Sequence, residues 1–64
     1  MIPPFDVFSV DEKGILWRSH ADSLEDAKAR VQEFGRFNPG DYIIVSLKTG
    51  HKLSLNVPPP SADS

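Results

Sequence analysis

The sequence predicts an α+β domain of order ββαββ: a four-stranded, mainly antiparallel sheet with one helix packed on one face. Three observations predict it. Two pairs of short β-forming runs are each broken by a glycine turn, Asp11-Glu12-Lys13-Gly14 and Lys48-Thr49-Gly50, and between the pairs lies one run with apolar residues at helical spacing. The third is length, since 64 residues allow one domain and no more. With Cys 0 and only His20 and His51 as histidines, neither disulfides nor a closed tetrahedral zinc site can staple so small a core. What remains is a well-formed core in a simple fold, or association with another chain.

Residues 1–4 form an extended lead-in, because Pro3 and Pro4 fix φ and donate no backbone hydrogen bond. The first strand is Phe5 to Val10, and the return strand is Ile15 to Ser19. If Gly14 closes a three-residue loop, Asp11 faces Ile15, Ser9 faces Trp17 and Val7 faces Ser19. That hairpin divides into Phe5, Val7, Ile15 and Trp17 against Phe8, Val10 and Leu16. As the largest apolar side chain, Trp17 is expected in the core.

Ser23 is a good helix N-cap, with Asp26 three residues on in the place of a capping-box acid. Leu24, Ala27, Val31 and Phe34 then recur on one helix face, opposite Glu25, Asp26, Lys28, Arg30, Gln32 and Glu33. The helix is expected from Leu24 to Phe34 or Gly35, with Asn38-Pro39-Gly40 as a later alternative stop.

Asp41 to Leu47 makes the third strand and His51 to Val57 the fourth. A three-residue loop ending at Gly50 would set Leu47 opposite His51, Val45 opposite Leu53 and Ile43 opposite Leu55. Ile43, Val45, Leu47, Leu53, Leu55 and Val57 then share the helix side, and Tyr42 and Ile44 fall on the other with Lys52, Ser54 and Asn56. The first and third strands are expected at the centre of the sheet. Residues 5–57 thus form the domain, and 58–64, from Pro58-Pro59-Pro60 to Ser64, read as a disordered tail biased to polyproline II.

The run from Phe5 and Val7 to Gly14-x-x-Trp17, then Ser23-Leu24-Glu25-Asp26-Ala27-Lys28, Pro39-Gly40-Asp41-Tyr42-x-Ile44 and Thr49-Gly50, resembles a scattered class of very small bacterial ββαββ proteins of unknown function. The resemblance covers roughly Phe5 to Val57. Its shared positions are turn glycines, a cap and core residues, so it implies the fold and carries over no catalytic or binding residue.

Composition narrows the function. Hydrophobic residues at 39% and charged residues at 25% fit a globular domain rather than a disordered chain, and a net charge of −2 disfavours nucleic acid, whose binders need a basic excess. The longest apolar stretch, Tyr42-Ile43-Ile44-Val45, is far short of a membrane span, and the opening residues lack a signal peptide's basic flank and apolar run, so a cytoplasmic location is expected. His20, His51, Ser19, Asp22 and Asp41 are the candidate catalytic groups, yet no spacing forces them together, and loop histidines in water explain them as well. Lys48-Thr49-Gly50-His51-Lys52 lacks the phosphate-loop pattern and is accounted for by hairpin chemistry. No cofactor, metal or small-molecule substrate is implied.

The expected function is therefore non-enzymatic: a small interaction or accessory module that binds another protein, including a second copy of itself as a homodimer. Its expected interface is the sheet face that the helix leaves open, carrying Phe8, Val10, Leu16, Tyr42 and Ile44. The alternative is nucleic-acid binding on that same face, with Phe8 and Tyr42 stacking on bases and Arg18 beside them.

Overall fold

The computed structural model describes residues 3–59, so the ends of the expected lead-in and of the expected tail lie outside the described residues. β1 (Phe5–Asp11) and β2 (Gly14–Ala21) form the first hairpin, α1 (Leu24–Phe37) follows, and β3 (Gly40–Ser46) and β4 (Lys52–Val57) form the second. The sheet order is β2-β1-β3-β4 and every neighbouring pair is antiparallel. β1 and β3 are central, as the sequence predicts.

The helix begins where Ser23 caps it. The Asp26 N–H donates to Ser23 Oγ at 3.0 Å, while the Asp26 carboxylate accepts from the Asp22 N–H at 3.2 Å and from Arg30 Nε at 3.3 Å. The Asp22 N–H first, and the Arg30 guanidinium after it, hold the Asp26 carboxyl below the usual aspartate range. Ala27 and Val31 are fully buried against the sheet, and Phe34 packs on the same core. Leu24, expected with them, stays 40% exposed at the helix's first turn.

Gly35 does not end the helix, which runs on to Phe37 with Asn38 as its C-cap; the Asn38 N–H donates to the Phe34 carbonyl at 2.9 Å. Gly35 is buried inside α1, where a Cβ would collide with the Val57 side chain, the Val57 Cβ itself lying only 2.7 Å from the added atom. The glycine is thus a close-approach residue, through which the last helical turns rest on β4.

Both hairpins differ from the expected registers by one residue. In the first, Glu12 and Lys13 make a two-residue turn with Asp11 paired to Gly14, the Lys13 N–H donating to Asp11 Oδ1 at 2.8 Å. Val7 still pairs with Ser19, because a β-bulge at Arg18 absorbs the difference and Phe8 then pairs with Trp17. In the second, the Ser46 N–H donates to the His51 carbonyl at 2.8 Å, so Leu47 to Gly50 form a four-residue turn, with Gly50 at a φ of 75°. Tyr42 therefore pairs with Leu55 and Ile44 with Leu53.

Since side chains alternate, one extra turn residue moves a whole strand's pattern to the opposite face. Tyr42 and Ile44, expected on the open face, are each only 2% exposed and lie in the core with Val7, Ala21, Ala27, Val31 and Val57. The Tyr42 hydroxyl donates to the Asn38 carbonyl at 2.6 Å, tying the end of the helix to the sheet. Ile43 and Val45 go the other way. Leu16 pairs with the buried Ser9 and so lies on the helix side, half exposed at a corner of the sheet, whereas Trp17 pairs with Phe8 and leaves the core for the open face.

Candidate protein-interaction surface

Cross-strand partners share a face, so the pairing builds the helix-free surface row by row. One row reads His20, Asp6, Val45 and Lys52 from β2 to β4; the next reads Trp17, Phe8, Ile43 and Ser54; the third reads Ile15, Val10, Asp41 and Asn56. Val45, Trp17, Phe8, Ile43, Ile15 and Val10 form a contiguous apolar field across β2, β1 and β3. β4 adds only polar residues. Phe8, Val10, Ile43 and Val45 are half-buried by their neighbours in the sheet, while Ile15 is 64% and Trp17 48% exposed.

The bulge at Arg18 organises one end of this field. Trp17 and His20 are three residues apart, a separation that would send them to opposite faces of a regular strand. With Arg18 and Ser19 both turned to the helix side, where Arg18 Nε donates to Ser9 Oγ and Arg30 donates to Ser19 Oγ, Trp17 and His20 both reach the open face. They meet over Asp6. His20 Nδ1 lies 2.8 Å from Asp6 Oδ1, Trp17 Nε1 donates to the same oxygen at 3.3 Å, and the two rings stand edge to face with centroids 5.0 Å apart. The carboxylate at the margin of an apolar surface is thereby satisfied, and the indole is fixed in one orientation.

Of the expected interface residues, Phe8 and Val10 are on the open face, Leu16 is on the other, and Tyr42 and Ile44 are core. Ile15, Trp17, Ile43 and Val45 take the missing places. Ile43 and Val45 were readable only from the length of the second turn, and Trp17 only from that of the first, which pairs it with Phe8. The base-stacking set of Phe8, Tyr42 and Arg18 is not assembled, because Tyr42 is buried and Arg18 points to the helix side. Nor do the candidate catalytic groups converge: His20 pairs with Asp6 rather than Asp22 or Asp41, and His51 stands exposed beside the second turn.

On the helix side α1 covers Val57 at the end of β4, whereas the start of β4 stays open. There a groove is lined by Phe5, Leu24, Ile44 and Leu53. Among the described residues no cluster of three metal-ligating side chains occurs, and no helix is long and apolar enough to cross a membrane. Comparison with protein-family models, with curated proteins and with solved structures finds no match for this chain.

Proposed function

We propose that the protein is a small non-enzymatic interaction module that self-associates through its helix-free sheet face. The observation that supports this reading is the apolar field of Phe8, Val10, Ile15, Trp17, Ile43 and Val45, contiguous over three strands. A patch of this kind is unusual on a small monomer, and a chain without disulfides gains stability by covering it. Two copies packed sheet on sheet about a two-fold axis would bury it, with Trp17 and Phe8 as the large central anchors. Nucleic-acid binding on the same face is less well supported, since Asp6 and Asp41 stand among the apolar residues and oppose phosphate.

Light scattering coupled to size exclusion at micromolar concentration tests the reading. Phe8→Asp and Ile43→Asp are each expected to lower the mass measured for the unaltered protein, because an unpaired charge would be desolvated at the contact. Equal masses for the protein and both variants would overturn it.

A further inference from the structure

We propose that β4 pairs with β4 of a second copy, antiparallel about a two-fold axis through Ser54, to make a continuous eight-stranded sheet with both helices on one side. This contact uses the edge of the sheet rather than its face, so it stands or falls separately from the self-association proposed above.

The two edges of the sheet are not alike. β2 is interrupted by the bulge at Arg18, a device that spoils an edge for further pairing. β4 is regular over Lys52–Val57, carries one charged residue, and among the described residues pairs only with β3. Its outward groups follow from the turn. The Ser46 N–H bond to the His51 carbonyl makes those residues a hydrogen-bonded pair, and bonding alternates along an antiparallel ladder. Leu53, Leu55 and Val57 therefore turn their backbone groups toward β3, and Lys52, Ser54 and Asn56 turn theirs outward.

A two-fold axis at Ser54 matches these outward groups to themselves. Ser54 pairs with Ser54, and Lys52 with Asn56, so the N–H and C=O of all three residues are satisfied in each copy. The side chains agree with that register. Asn56 Nδ2 donates to Asp41 Oδ1 at 2.8 Å, and the exposed Asp41 carboxylate carries no ion pair among the described residues. Lys52 of the second copy would lie directly beside Asn56, with its ammonium within reach of Asp41, and symmetry repeats the attraction. No like charges face each other. On the helix side Leu53 would stand opposite the second copy's Leu55, extending apolar cover over the groove formed by Phe5, Leu24 and Leu53. Pro58, which has no N–H, ends the ladder where the pairing runs out.

The chain has no cysteine, so a single introduced thiol reports the contact. Ser54→Cys is made in the Phe8→Asp background, which removes the face contact proposed above and leaves Ile43, the cross-strand neighbour of Ser54, unaltered. Hydrogen-bonded partners have Cα atoms about 5.5 Å apart, within disulfide range. Under mild oxidation the variant is expected to shift to twice the monomer mass on a non-reducing gel, while Glu12→Cys in the same background, at the tip of the first hairpin, stays monomeric. Equal covalent dimer from the two thiols would overturn the proposal. A measurement on the unaltered protein guards against a misfolded background: the Ser54 and Asn56 amides should exchange with solvent more slowly as protein concentration rises. Exchange of both amides that does not change with protein concentration would likewise overturn it.

Discussion

Gly35 shows how a single missing methyl group positions two elements. In an exposed helix interior, alanine is favoured over glycine by about 1 kcal/mol. Here the gain is outweighed, because the added Cβ would meet the Val57 side chain and α1 would have to lift off β4. Forcing an extra methyl group into a packed site costs roughly 1–3 kcal/mol. Gly35→Ala is therefore expected to lower the melting midpoint by several degrees, and Gly35→Ala with Val57→Ala should recover part of that loss, since the second change removes the obstruction. A raised midpoint in the single variant would show that Val57 yields to the added methyl group and that helix propensity decides the sign. From the sequence Gly35 is equally a stop signal, and only the position of Val57 on the adjacent strand distinguishes the two roles.

At the level of the element, the start of α1 and the facing of β4 could be read directly, and that of β3 could not. Ser23 and Asp26 announce the cap before any tertiary contact is known, because capping is local chemistry. Lys-Leu-Ser-Leu-Asn-Val in β4 alternates cleanly, and its apolar residues do lie on the helix side. The run Tyr42-Ile43-Ile44-Val45 is apolar on both faces, so alternation cannot choose between them, and the choice passed to a turn whose length was off by one residue. Trp17 misleads for the same reason: the first turn is one residue shorter than expected and pairs it with Phe8 instead of Ser9, while the bulge that follows, which leaves no mark in composition, carries His20 to the same face. The cap also has a pH signature. With the Asp26 carboxyl held below its usual range in the folded state, it adds stability above the unfolded value that is lost as pH falls through the folded one. Between neutral pH and about pH 3, Asp26→Asn is expected to show a smaller fall in melting midpoint than the unaltered protein. Parallel curves would mean the Asp22 and Arg30 contacts do not persist in solution.

Across the whole molecule, one helix covers one face of four strands, and that ratio decides where association can occur. The fold class and the central strands follow from two hairpins and a helix in that order, which leaves few ways to build a sheet. The presence of an apolar helix-free face is also legible in the sequence, because the strands contain more large apolar residues than one helix can cover. Its membership is not legible, since each one-residue slip exchanges Ile43 and Val45 for Tyr42 and Ile44. The polar β4 strip beside the apolar field leaves room for both proposed contacts, face and edge, on separate surfaces. Masses measured for the two charge variants and gel shifts for the paired thiol variants resolve them independently.

The β1–β3 ladder carries a consequence for the speed of folding. Each hairpin closes over a short turn, but the centre of the sheet joins Phe5 to Ser46 and Val7 to Ile44, partners separated by the second strand, the helix and the third. Closing so long a loop costs entropy before any central pair can repay it. The hairpins should consequently form and dissolve many times before the chain commits. Ile44→Val, at the centre of that ladder, is expected to slow refolding in stopped-flow measurements, whereas Leu55→Ala, in the local β3–β4 hairpin, should act mainly by accelerating unfolding. The reverse pattern would place the rate-limiting step within a hairpin, leaving the long loop to close afterwards.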